Sequence, residues 1–294
     1  MGKKANGCIA LNTTAPWWRM LGPTITITSR PPGFFGVIRE IWCCREIALL
    51  LARRDFLVRY RRSIVGFCWV LFKPGMNALV LTFVFGHLAK LPDQGVPYPV
   101  LVLSAAIAWQ FFTGVLTESG NSIVNNVPLV TKVYFPRMLL PLATLPVNLI
   151  DLLLGLILLW LVMGWTGFTP GWTALLLPLA GIPLVLVAYG AGLWVSALLA
   201  RFYDLKNVIP YLLQFAMLIS PVAFSAALVP ERWRLIYGLN PLVAPLELFR
   251  WCLIGGDYPI DVRMLLTSLG VGLLLFISGV WAFRRFEREF ADVI

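Results

Sequence analysis

Charge is scarce in this 294-residue sequence: Asp, Glu, Lys and Arg make up 13% of it, about half the share of an ordinary soluble domain. Histidine is scarcer still, with His87 alone, so no pair of imidazoles is available for a metal. The five cysteines, Cys8, Cys43, Cys44, Cys68 and Cys252, lack metal-ligand spacing, and the adjacent Cys43 and Cys44 suit neither a disulfide framework nor a zinc site. The phosphate-cradling pattern G-x-x-x-x-G-K-[ST] is missing, the one Gly-Lys pair being Gly2–Lys3, which excludes a P-loop ATPase. Acid/base catalysis or proton-coupled transport inside a bilayer needs several ionisable groups converging at depth. The ionisable groups within or at the inner ends of the long apolar runs are few, Lys73, His87, Glu118 and Asp151 among them, and no cofactor or metal is expected.

What the sequence has is apolar length. It is 59% hydrophobic, with a mean hydropathy of +0.82. About 20 apolar residues of helix cross a hydrocarbon core, and helices are the natural reading because an open sheet leaves unpaired backbone groups in lipid. Six such runs are placed at about Ile64–Leu88, Pro97–Thr117, Met138–Met163, Trp172–Ala200, Val208–Leu228 and Val262–Phe283. The net charge of +10 sorts by side: with the amino terminus cytoplasmic, eighteen basic residues lie inside and five outside. The positive-inside rule therefore puts both termini in the cytoplasm, and the basic character is topology, not a nucleic-acid surface. No cleaved signal peptide is read at the amino terminus.

Residues 1–33, with four prolines, read as a flexible cytoplasmic tail. Residues 34–63 read as an amphipathic interface helix, since Ile38, Trp42, Leu49, Phe56 and Tyr60 fall on one helical face. The rest, 64–294, is the six-span domain. Arginines at the end of the interface helix suit anchoring to lipid phosphates, or a grip on a substrate's phosphates; the pattern leaves both open. Asp151 and Lys73 differ in depth by only about 6 Å at about 1.5 Å per residue, which a structural pair or a water-filled lumen would each explain. Seven prolines within the spans (Pro74, Pro141, Pro146, Pro178, Pro183, Pro210, Pro221) suit kinked walls or are simply tolerated. Aromatics such as Trp69, Phe72, Trp109, Phe111 and Phe112 suit either sugar stacking or ordinary interface and core positions.

Four blocks carry a resemblance. "RRDFLVRYRRSIVGFCWVLFKPGMNALVLTFVFGHLA", "VPYPVLVLSAAIAWQFFTGVLTESGNSIVNNVPLVTKVYFPRMLLPL", "ISPVAFSAALVPERWRLIYGLNPLVAPLELFRWCLIGG" and "FRRFEREFADVI" resemble, in order and spacing, the membrane subunit of ABC-2 type polysaccharide exporters. These are permeases for O-antigen, teichoic acid and capsular chains, and the flavour is that of the O-antigen type. The likeness runs from Phe35 to Ile294.

The resemblance implies an all-α membrane protein of the type V exporter kind, with six transmembrane helices, the interface helix and short periplasmic helices. It implies a homodimer that binds two copies of a separate nucleotide-binding subunit, which holds the ATP and Mg, so the chain itself is no enzyme. A glycan on a polyprenyl diphosphate lipid would pass between protomers. Arg59, Arg61 and Arg62 would then lie near the diphosphate, and Trp69, Phe72, Trp109, Phe111 and Phe112 along the sugar path. Lys73 stands in that path where an uncharged polar residue is expected, and the tail before Phe35 is longer than usual. Trp233 and Trp251 would gate the periplasmic side. Energy must enter through a surface, and the loop after the second span, with Ile123, Val127 and Val130 at helical spacing among Asn121, Asn125 and Asn126, reads as a small coupling helix whose apolar ridge fits a groove on the ATPase. Two other classes stand beside this one: a drug or lipid export permease of the same superfamily, and a multipass lipid-modifying enzyme, which would be active as the purified chain alone.

Overall fold

The computed structural model of the chain describes residues 42, 44–60, 64–90, 95–132, 135–255, 258 and 260–287, without the side chains of 64–69. The expected tail 1–33 lies outside them. Every regular element among the described residues is helical. In chain order they are α1 (Arg45–Tyr60), α2 (Ile64–Leu81), α3 (Tyr98–Asn121), α4 (Val127–Lys132), α5 (Leu139–Thr166), α6 (Leu177–Arg201), α7 (Leu205–Ile219), α8 (Glu231–Tyr237), α9 (Val243–Ile254) and α10 (Val262–Phe286). A π-helical stretch, Thr82–Leu88, prolongs α2, and a 3-10 turn, Trp172–Leu176, leads into α6.

Among the described residues, five stretches are long and apolar enough to cross a bilayer: Val70–Leu88, Tyr98–Asn121, Leu139–Thr166, Trp172–Arg201 and Val262–Phe286. The expected fifth span, Val208–Leu228, differs. Its helix α7 has 15 residues, about 22 Å at 1.5 Å per residue against a core of about 30 Å. It stops because Ser220 precedes Pro221 and is extended, at φ −83° and ψ 153°, the conformation that a following proline imposes. The chain then folds back through a 3-10 turn at Ala226–Leu228, α8 and α9 before α10 begins. The other prolines sort by position. Pro141 and Pro178 sit in the first turns of α5 and α6, where a missing N–H costs nothing, while α2, α5, α6 and α7 run on through Pro74, Pro146, Pro183 and Pro210.

The core is built around α3, most of whose side chains are buried; α2, α5, α6 and α9 surround it. Helices α6 and α10 cross where two glycines meet: a Cβ on Gly279 would stand 2.4 Å from the carbonyl oxygen of Gly190, so small residues set the approach, as membrane helices favour. Helix α1 packs along α5, and here the expected stripe divides. Tyr60 is buried, but Trp42 is 69% and Leu49 64% exposed. The face turned to the bundle carries Ala48, Leu51 and Ala52. Small side chains permit the close approach, and the large apolar ones are left on the outer side, where lipid would lie.

Candidate functional site

At the end of the bundle where α1 and α4 lie, three helices bring their few ionisable groups together. Arg59, near the end of α1, donates from Nη1 to Oδ2 of Asp151 at 2.7 Å and from Nη2 to Oε1 of Glu118. The Tyr60 hydroxyl donates to Oδ1 of Asp151. Asn148 Nδ2 donates to Oε2 of Glu118 at 2.8 Å and to the Thr144 carbonyl at 2.9 Å. Each of the four carboxylate oxygens thus has a donor. Local sequence makes room for this: a Cβ at position 114 would sit 2.3 Å from Oδ1 of Asn148, so Gly114 on α3 admits the amide. The side chains of Arg59, Glu118 and Asp151 are 30%, 31% and 14% exposed, so the cluster is sheltered without being sealed.

Several expected sites move. Asp151 is satisfied by α1, and the ion pairs among the described residues do not include Lys73. Lys73 instead points outward from α2, with Phe72 and Asn77 exposed beside it. Trp109, Phe111 and Phe112 are buried in the chain's own core, with the first and third rings 5.5 Å apart. They therefore line no open path, because α3 is the central helix. In the loop, Ile123 and Val130 are buried in the apolar cluster that also holds Leu51 and Ala52, so two of the three residues of the expected ridge are turned inward. Asn121 and Asn126 donate to Thr117 and Ser122 carbonyls at 2.7 Å each, and Val127 is half-buried. The edge left outward is Asn125, Pro128, Thr131 and Lys132. Arg61 and Arg62 lie outside the described residues, as does the side chain of Trp69.

At the opposite end, Trp233 on α8 is half exposed beside Arg232, and Trp251 on α9 is partly buried. Between them the structure holds a cluster that sequence reasoning missed. Arg250 is 0% exposed. Its Nη1 donates to the Phe224 carbonyl at 3.0 Å, to Oε1 of Glu247 at 3.1 Å and to the Tyr258 hydroxyl at 3.2 Å, and its Nη2 to the carbonyls of Pro221 and Val222 at 3.0 Å each. Glu247 also accepts the Ala226 amide, and Tyr258 donates to Ser225. A signal existed: Glu247 and Arg250 stand three residues apart in an otherwise apolar helix. Nearby, a groove of about 580 Å³ between α8 and the start of α10 is lined by Glu231, Arg234, Asp261 and Arg263 among others. Asp261 caps α10 by accepting the Arg263 and Met264 amides and meets Arg234 at 3.3 Å.

An all-helical bundle with crossing-length apolar helices and an ionic cluster fed by an amphipathic helix defines a multi-pass membrane protein. Residues 48–254 match the ABC-2 type transporter family, and the chain belongs to it. It is 26% identical over 263 residues to the O-antigen export system permease protein RfbA of Myxococcus xanthus, covering 88% of this chain and 99% of that one. It is 23% identical over 250 residues to the protein of the same name from Klebsiella pneumoniae, covering 85% and 95%. The polysialic acid transport protein KpsM of Escherichia coli is 25% identical over 234 residues, covering 76% and 89%.

Proposed function

We propose that the chain is the permease subunit of an ATP-driven exporter in the bacterial inner membrane, and that its cargo is an O-antigen-like polysaccharide carried on a polyprenyl diphosphate lipid. The names of its relatives support the substrate class. The observation that carries the mechanism is Lys73. It lies within the crossing stretch Val70–Leu88, about 5 Å from its start, yet it is exposed on the outside of the single chain together with Asn77. A charge and an amide side by side on a face turned to lipid are disfavoured, so this face suits a wet lumen closed by a second copy. Helix α7, none of whose side chains is buried and which exposes Tyr211, Gln214 and Phe215, would contribute the adjoining wall.

In this reading two copies form the channel, and two copies of a nucleotide-binding subunit dock at the α1 end, which is the cytoplasmic one and carries both termini. The outward edge of the loop helix, Asn125 to Lys132, faces that partner. Arg61 and Arg62 are the candidates for the diphosphate, since Arg59 already has its counter-ions. Phe72 and Lys73 face the lumen, and Trp233 and Trp251 stand at the outer mouth. The test is complementation of a strain lacking the gene, scored by surface polysaccharide on gels, with Asn77→Cys to probe contact between copies. Export should survive Lys73→Gln and fail with Lys73→Leu, which dries the lumen, and Asn77→Cys should cross-link two copies. Undiminished surface polysaccharide in the deletion strain, or a chain that purifies as a monomer, overturns the proposal.

A further inference from the structure

The two arginine clusters have similar chemistry and different mechanical settings. The Arg250 cluster is fully buried and lies within one stretch of chain, 221–258. The Arg59 cluster joins three separate helices, α1, α3 and α5, and each of its charged side chains is partly exposed at the surface of the chain. Charges that can rehydrate when parted make a contact that can open and close. Charges sealed from water do not, because each would have to be stripped of its partner in a low dielectric.

Helix α1 is held at two places of different character. Along its middle it packs on α5, where Leu51 and Ala52 belong to the same apolar cluster as Ile123 and Val130 of the loop that carries α4. At its end, Arg59 grips Glu118, one turn from the end of α3, and Asp151, twelve residues beyond the start of α5. The helix therefore spans from the surface offered to the ATPase to a point about 18 Å along α5. We propose that Arg59 is a positioning residue, a latch through which displacement of α1 and its loop helix is passed to α3 and α5. This rests on the exporter reading above. Because one guanidinium holds both carboxylates, moving α1 shifts two spans together, and losing the guanidinium frees each of them.

The test uses the complex of the full chain with its ATPase, reconstituted in vesicles, and compares Arg59→Gln, Arg59→Lys and the neutral triple Arg59→Gln/Glu118→Gln/Asp151→Asn. The latch requires that Arg59→Gln assembles and hydrolyses ATP as before while export falls about tenfold, the scale of a single coupling free energy. Arg59→Lys should recover part of it, and the neutral triple should stay uncoupled. If Arg59→Gln lowers the amount of folded protein and export in the same proportion, and the triple restores both, the cluster is a staple and the latch is wrong. A second measurement needs no cargo: spin labels at Arg54→Cys and Leu153→Cys, both exposed sites. With Arg59 present the distance distribution between α1 and α5 should be narrow, and Arg59→Gln should broaden it; an unchanged distribution overturns the latch. Failure of the unsubstituted chain to export at all sinks the exporter reading instead, and leaves the spin-label comparison to decide the latch alone.

Discussion

Replacing Arg250 with methionine keeps the stem and removes the guanidinium from a site with 0% exposure. Five hydrogen bonds go with it, to three carbonyls, Glu247 and Tyr258. Breaking a buried ion pair by removing one partner costs about 3–5 kcal/mol, because the other charge is stranded. The carbonyls of Pro221, Val222 and Phe224 add to this, each worth about 1–3 kcal/mol if left unmet, though neighbouring losses do not sum. Taking about 4 kcal/mol in all, and a shift of about 2–4 °C per kcal/mol for a chain of this size, the melting midpoint in detergent should fall by roughly 10 °C. Hydrogen exchange should rise first in the 220–228 turn. Adding Glu247→Gln removes the stranded charge, so the double variant should melt above Arg250→Met. A double variant that melts lower, or a single one that melts within about 2 °C of the parent, refutes the reasoning that the charge, and not the side-chain volume, is what the site needs.

Three further outcomes follow from the geometry. Gly279→Val should force α6 and α10 apart, since its Cβ would stand 2.4 Å from a backbone oxygen, and the cost of about 1–3 kcal/mol typical of overpacking should appear as a lower melting midpoint, with Gly279→Ala between. Burial alone would raise the Asp261 carboxyl, but the Met264 and Arg263 amides and Arg234 hold it below the usual carboxylate range. A depressed carboxyl contributes stability above its unfolded value and loses it as pH falls through the folded one, so below about pH 4 exchange at the start of α10 should quicken, and in Asp261→Asn that pH step should vanish. Cysteine at Asn125 should cross-link to the ATPase subunit while cysteine at the buried Ile123 should not; the opposite result moves the docking edge elsewhere.

Much of the architecture was legible because bilayer physics leaves few choices: a run of apolar residues long enough to cross becomes a helix, and four of the six expected runs coincide with crossing helices nearly residue for residue. Val208–Leu228 misled because hydropathy continues through Ser220 and Pro221, where the backbone cannot. The face of α1 misled for a related reason. Periodicity weighs large side chains most, so Trp42 and Leu49 defined the stripe, whereas close packing against α5 selects Ala48 and Ala52. Lys73 and Asp151 were expected at similar depth, but depth says nothing of azimuth, and Arg59 on a helix expected to lie flat was not among the partners weighed. Trp109, Phe111 and Phe112 show the same limit, since an aromatic reads alike in a core and in a lumen.

The placement of charge then becomes intelligible as a division of labour. At the α8 end, Arg250 converts a broken backbone into a rigid unit: the carbonyls of Pro221, Val222 and Phe224 have lost their helical donors where α7 stops, and irregular backbone at membrane depth is tolerated only where protein or water satisfies it. One guanidinium, with five donors in a fixed fork, supplies what a turn of helix would have. At the α1 end the same side chain meets carboxylates instead of carbonyls, with water within reach. Carbonyls cannot be rehydrated piecemeal without unfolding the turn, whereas an ion pair at partial exposure is separated at less cost than a sealed one. In the proposed exporter, the chain would hold its sealed arginine where the backbone is irregular and its part-exposed one on the helix nearest the ATP-driven partner.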